Sequence, residues 1–215
     1  MKIWGTKTLG NPVRVAIFLA EKGLDIPFEP VDLMGGAHRD ADFVAKNPSG
    51  LVPVLELDDG SYISETVAIC RYFERLHPEP PLMGTDARDE AIVEMWQRRV
   101  EYEVYGPIRE VFRHSIPFVK ALEPVQLADW ADLNRPRITT GLTMLEAQLR
   151  EHPFIAGDRF TIADITAIFA MQMAGYLKLA LPDGATAIPR WRAAVNSRPS
   201  VASVMAQNLT EQKNR

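Results

Sequence analysis

A single cysteine, Cys70, occurs in 215 residues. That excludes an internal disulfide framework, a CxxC redox pair and a thiolate-rich metal site within the chain. The four histidines, His38, His77, His114 and His152, stand scattered without ligand spacing, so no metal is expected. Positive charge is not in excess: 24 Lys and Arg face 28 Asp and Glu, a net charge of −4. No large basic field is available to hold a nucleic-acid backbone. No apolar run approaches the roughly 20 residues that span a bilayer, so no membrane partner is expected. The amino end, MKIWGTKTLGNP, carries no apolar h-region, which argues against a secretory signal. These absences together predict a cytoplasmic, metal-free protein. What is present is a globular composition, 47% hydrophobic and 24% charged, in a chain long enough for two domains.

The first eighty or so residues alternate in type. Lys2-Ile3-Trp4 is a short strand candidate. Asn11-Pro12 opens a helix with Val13, Ala16, Ile17 and Ala20 at helical spacing, ended by Gly23. Phe28 to Leu33 alternates as a second strand, and residues 40–46 suit a short helix. A hairpin from Val52 through Asp58-Asp59-Gly60 to Ile63 leads into a helix from about Glu65 to His77. This βαβαββα order combines a parallel crossover with an antiparallel edge. The proline-rich HPEPPLMG then marks a connector. Beyond it the periodicity is helical: one long helix from Asp86 toward His114, liable to kink at Pro107, then helices over about 125–151, 161–177 and 188–196. The expected division is an α/β domain over residues 1–80 and an all-α domain over 86–215.

Two short segments carry chemical interest. Pro53 opens a strand without an N–H for the ladder, which suits an edge or a bend. With a cis Val52–Pro53 bond, the N–H and C=O of Val52 would face a groove where an extended peptide could pair with them. Ser64-Glu65-Thr66 sits at a strand-to-helix junction, where orphan N–H groups suit a carboxylate and Glu65 suits an ammonium group. The plainer alternative is that Ser64 caps the helix and Glu65 complements its dipole.

NPSGLVP, a hairpin, and then SETVAICRY together resemble the cytosolic glutathione transferase family. In the helical half, FIAGDRFTIAD is similar to that family's FxxGxxxTxAD signature; Thr161 and Asp164 have capping-box spacing, a folding signal. The resemblance covers nearly the whole chain. It implies a thioredoxin-like amino-terminal domain, a helical carboxy-terminal domain, a homodimer, and a second-substrate pocket between the domains. It also implies glutathione as co-substrate, with a small electrophile or disulfide as the other reactant. Val52 would then pair with the cysteinyl backbone, Pro53 would be cis, and Glu65 and Thr66 would hold the γ-glutamyl end. His38 has the spacing at which theta-like classes put a histidine near the glycyl carboxylate; a solvated loop histidine is the alternative. Ser49 stands where some classes carry a glutathione-binding Lys or Gln.

The chain departs from the family at the sulfur. Glutathione reacts as a thiolate, and relatives supply a Tyr, Ser or Cys near the end of the first strand to stabilise it. Here no Tyr precedes Tyr62, no Ser precedes Ser49, and the serine register falls on Gly10. The nearby donors are Thr6, Thr8 and Asn11. Asn11 ahead of Thr8 resembles bacterial nu-type members, whose sites are associated with disulfide reduction or peroxidase activity. Asn11 followed by Pro12 is also a strong helix-start pair, so capping alone could account for it. Arg99, Tyr102, Tyr105 and Arg109, spaced three or four apart, are the second-substrate candidates, with packing and solvated charge as the alternative. Cys70 falls on the apolar face of its helix and reads as a structural thiol. Three functions remain: a glutathione-dependent transferase or disulfide reductase, a catalytically idle glutathione-fold protein that binds ligands or partners, and an unrelated small-molecule binder that shares only the fold.

Overall fold

The computed structural model describes residues 1–213, with side chains through 206. It divides into two compact units, Met1–Pro80 with the chain from Arg198 onward, and Pro81–Ser197.

The first unit is built on a four-stranded mixed sheet in the order β2-β1-β3-β4. Its strands are β1 (Lys2–Trp4), β2 (Phe28–Glu29), β3 (Val54–Glu56) and β4 (Tyr62–Ser64). β1 runs parallel to β2 and antiparallel to β3, and β3 pairs antiparallel with β4. Helices α1 (Pro12–Glu21) and α3 (Thr66–Leu76) pack together, while the short α2 (Ala41–Val44) follows a 3-10 turn at Ala37–Arg39. Alternation along the strands buries residues on both faces of the sheet. Val54 joins Val31 and Phe43 in one cluster, with Trp4 and Val52 packed against it. Ile3 and Leu55 are also fully buried.

β2 is shorter than the Phe28–Leu33 strand that alternation predicts. Pro30 has no N–H to continue the ladder, and the chain turns instead, with Gly35 N–H donating to Asp32 Oδ1 at 2.8 Å. The hairpin strands are likewise trimmed to residues that pair.

The sequence assigns everything after residue 86 to the helical half, whereas α9 (Pro199–Lys213) groups with the first unit. A charge pair invisible to periodicity holds it there. Arg198 Nε and Nη2 donate to the Glu21 carboxylate at 2.7 and 2.8 Å, and Ser200 Oγ donates to the same group. Burial pushes the Glu21 carboxyl up, but these bonds more than offset it and hold it below the usual range.

The end of α3 is pinned by a buried ammonium. Lys22 Nζ, with a fully covered side chain, lies 2.6 Å from Glu74 and donates to the carbonyls of Pro78 at 3.2 Å and Pro80 at 2.5 Å. Lys22→Met keeps the apolar stem but takes the cation from among three buried acceptors, and should cost about 3 kcal/mol. Urea unfolding checks this; a loss under about 1 kcal/mol would show the cluster to be incidental.

In the second unit α4 (Ala87–Arg99) starts at Asp86, whose side chain accepts from the N–H of Arg88 and Asp89 at 2.9 and 3.0 Å. It continues through a π-helical segment, Val100–Tyr105, into α5 (Gly106–Ser115). The sequence anticipates one helix kinked at Pro107. A widened turn instead precedes the proline, which then sits in the first turn of α5 where its missing N–H is tolerated. α6 (Ala128–Glu151) crosses this segment at Gly141, where a methyl group would come within 2.0 Å of the Glu103 carbonyl. Only glycine permits that approach.

α7 (Ile162–Tyr176) opens with the Thr161–Asp164 capping box, and α8 (Ala187–Asn196) is capped from a distance. Glu146 on α6 accepts from the N–H of Thr186, Ala187 and Ile188 at 2.9–3.1 Å. Burial raises its carboxyl, but these three donors and Arg150 bring it down to about 2. No helix among the described residues is long and apolar enough to cross a membrane.

Candidate active site

The end of β1, the start of α1 and Val52 converge on Gly5. A methyl group there would lie 2.7 Å from Pro12 Cγ and 3.5 Å from Val52 Cβ, and its φ of +135° suits only glycine. The sequence contains no sign of this junction except the glycine itself.

Between Gly5 and α1 lie the candidate sulfur-facing groups. The hydroxyls of Thr6 and Thr8 are 3.1 Å apart, and Thr8 is mostly buried. Gly10, at φ +70°, turns the chain into the helix. Asn11 precedes α1 with helical dihedrals, φ −59° and ψ −29°, and its side chain makes no capping bond. Capping therefore does not account for Asn11: a residue already in the helical region cannot swing its amide back to the first-turn N–H groups.

The Val52–Pro53 bond is cis. Val52 lies outside the ladder, which begins at Val54, and neither its N–H nor its C=O has a hydrogen-bond partner among the described residues. Upstream, Asn47 closes the loop that leads to it, donating from Nδ2 to the Leu51 carbonyl at 2.8 Å. Ser49 is exposed, but its Oγ turns back to donate to Asn47 Oδ1 at 3.0 Å. Nothing in the NPSGLVP pattern marks these Asn47 bonds, which form only when the loop folds. His38 is 6% exposed in the preceding 3-10 turn, so it is not a solvated loop histidine. A methyl on Gly50 would come within 3.0 Å of the His38 carbonyl, which sets the two loops side by side.

At the α3 junction the plainer capping alternative fails. Ser64 is the last residue of β4, and Glu65 occupies the N-cap position without a side-chain bond to the helix. No acidic residue stands in the first turn. The leading N–H groups of α3 thus receive no side-chain cap at Glu65 and retain their partial positive charge. Glu65 adopts φ +69° and ψ 124°, the left-handed side of the map, which non-glycine residues avoid. Its side chain is exposed, and Thr66 beside it is buried at the start of the helix.

Cys70 is 1% exposed, and burial pushes its thiol up to about 12. Arg14 pulls it down and Glu74 up, without reversing that. It is a structural thiol, as its helical position suggests.

The four second-substrate candidates differ in exposure: three are exposed and Tyr105 is buried. Arg99 is exposed, with its guanidinium 4.8 Å from the Trp96 ring centroid. Tyr102 is 60% exposed, whereas Tyr105 is buried with its ring 5.7 Å from that of Phe169. Arg109 is exposed and paired with Glu110 at 2.6 Å. Tyr102 and Tyr105 lie in the π-helical segment, whose wider turn departs from the spacing of three and four that an α-helix would give.

A thioredoxin-like sheet unit followed by a helical unit, with a cis Val52–Pro53 bond leading into β3, is the architecture of the glutathione transferases. Family profiles agree: "Glutathione S-transferase, N-terminal domain" matches residues 11–76, and "Glutathione S-transferase, C-terminal domain" matches residues 111–199. The chain belongs to the cytosolic glutathione S-transferase family. Glutathione S-transferase 2 of Saccharomyces cerevisiae is 36% identical over 95% of this chain and 89% of its own. The crystal structure of Gtt2 from the same yeast superposes with a TM-score of 0.89 over 95% of this chain and 100% of that one. A glutathione S-transferase domain-containing protein of Marinobacter aquaeolei VT8 is 40% identical, with a TM-score of 0.89 over 94% of this chain and 100% of that one.

Proposed function

We propose that this chain is a glutathione-dependent enzyme that joins the glutathione thiolate to a small electrophile or uses it to reduce a small disulfide or peroxide. The observation that carries this reading is the unpaired N–H and C=O of Val52 beside the uncapped, strained start of α3. An extended tripeptide adds to such an edge through its cysteinyl backbone. Its γ-glutamyl carboxylate then takes the α3 N–H groups and the Thr66 hydroxyl, while Glu65 holds its ammonium. His38 serves the glycyl end. The sulfur falls toward Asn11 and Thr8, where an amide, a hydroxyl and the α1 amino terminus favour the thiolate.

In conjugation the thiolate forms a carbon–sulfur bond and the leaving group departs with the electron pair. In reduction the thiolate attacks a disulfide sulfur and expels the other thiolate, and a second glutathione resolves the mixed disulfide. Arg99, Tyr102, Tyr105 and Arg109 remain candidates for the second substrate, with the exposed Arg99, Tyr102 and Arg109 the better placed to touch it. The enzyme acts as a cytoplasmic homodimer of a bacterial, nu-type or theta-like class, and needs no metal.

Gly10 at the serine register and the Thr6–Thr8 pairing favour a second reading, an idle glutathione binder. Turnover of an aromatic halide and of a small mixed disulfide separates the two: either activity supports the enzyme, and neither supports the binder. Asn11→Ala should raise the pKa of bound glutathione by about one unit, read from thiolate ultraviolet absorbance. An unchanged titration would remove Asn11 from the sulfur site.

A further inference from the structure

We propose that Asn47 is a positioning residue that aims the Val52 N–H, an inference that rests on the glutathione reading of that edge. Asn47 is only 4% exposed, and both ends of its amide are used inside one five-residue loop. Nδ2 donates to the Leu51 carbonyl at 2.8 Å, while Oδ1 accepts from Ser49 N–H at 3.3 Å and from Ser49 Oγ at 3.0 Å. The Asn47 carbonyl accepts from Gly50 N–H at 2.9 Å. Leu51 is 49% exposed, so core packing of its side chain does not hold the loop tip. The side-chain amide is the tether.

Its effect reaches Val52 through covalent geometry. The Leu51 C=O and the Val52 N–H belong to one planar trans peptide unit, so they point in opposite directions. When Asn47 holds the carbonyl from one side, the N–H is held aimed at the other. That N–H is the donor that a paired tripeptide needs. Asn47 never has to touch the ligand; it removes the ordering cost of the edge before the ligand arrives.

The Nδ2 donor decides the choice of substitution. Asn47→Asp preserves shape and still accepts from Ser49, but turns an oxygen toward the Leu51 carbonyl in place of a donor. Ser49→Ala removes one donor to Oδ1 and leaves the Nδ2 bond in place. For Asn47→Asp, KM and Kd for glutathione should rise about 10- to 30-fold, with kcat at saturating glutathione and KM for the second substrate within about threefold. Ser49→Ala should stay within about twofold throughout. A residue that only supports the fold would instead lower the melting temperature and kcat with KM for glutathione unmoved, and that result overturns the proposal. So does an Asn47→Asp variant with wild-type affinity. Should Asn47→Asp fail to fold, Asn47→Ser, which keeps a short donor, is expected to show the same split at about half the logarithmic effect; wild-type glutathione affinity there overturns the proposal equally. Absence of glutathione binding by the wild-type protein would refute the functional reading itself, an outcome distinct from both.

Discussion

Asp164→Ala is expected to lower the melting temperature by about 10 °C or more. The Asp164 carboxylate is fully buried and accepts from Thr161 N–H at 2.9 Å, Thr161 Oγ1 at 3.2 Å, Ile155 N–H at 3.1 Å and Trp191 Nε1 at 2.8 Å. Alanine leaves three buried N–H donors without their acceptor, at about 3–5 kcal/mol in total. A chain of this size loses roughly 2–4 °C for each kcal/mol. Thermal unfolding followed by circular dichroism checks it; a drop of only 2–3 °C would mean that water or neighbouring carbonyls take over the donors.

The same group predicts a pH dependence. Burial pushes the Asp164 carboxyl up to about 6, and the four donors only moderate that rise. Because the native pKa lies above the unfolded value near 4, the folded protein keeps a proton that the unfolded chain has lost. Stability from this group is therefore complete below about pH 4 and declines as pH rises toward 6, by at most about 3 kcal/mol. Glu146, held down at about 2, acts in the opposite sense: its contribution is present above about pH 4.5 and is lost as pH falls toward 2. Asp164→Asn should abolish the decline between pH 4 and 6 and leave the acid-side loss. A slope that survives the substitution would assign it to another group.

The second large effect separates stability from function. Glu65→Gly should hold or raise stability by up to about 1 kcal/mol while raising KM for glutathione about 30- to 100-fold. Glu65 is held at φ +69°, a conformation costing a non-glycine residue about 1–3 kcal/mol, which glycine adopts without penalty. The gain is partly offset because glycine has more freedom to lose on folding. The carboxylate that glycine removes is the group assigned to the ligand's ammonium, and a charge-assisted bond of that kind contributes about 2–3 kcal/mol. Strain retained at an exposed acid signals a functional demand. If Glu65→Gly were more stable yet bound glutathione normally, the strained acid would serve neither the fold nor the ligand.

Local pattern exposed much of this architecture. Lys2–Trp4 is the strand that three residues of alternation indicate, and α1 begins at the Asn-Pro pair and ends just before Gly23. Such elements follow from nearest neighbours and spacing. What escaped depends on distant partners. The placement of α9 rests on Arg198 reaching Glu21 across the whole chain, and α8 takes its cap from Glu146 some forty residues away. Periodicity cannot register either bond. The burial of Tyr105 among the exposed Arg99, Tyr102 and Arg109 was not legible for a different reason: helical spacing assumes 3.6 residues per turn, and the Val100–Tyr105 segment breaks that assumption ahead of Pro107. Of the candidate site, Val52, Pro53, Glu65 and Thr66 stand out through the motif, whereas the strain at Glu65, the Gly5 junction and the Asn47 bonds exist only in three dimensions.

Isothermal titration of glutathione into the wild-type protein and into Glu65→Gly tests the central claim most directly. Saturable binding of one tripeptide per chain, weakened at least about 30-fold in the variant, is the expected result. No heat from reduced, oxidised or S-alkylated glutathione would contradict the account, and an affinity equal in the two proteins would remove the ligand from the α3 junction.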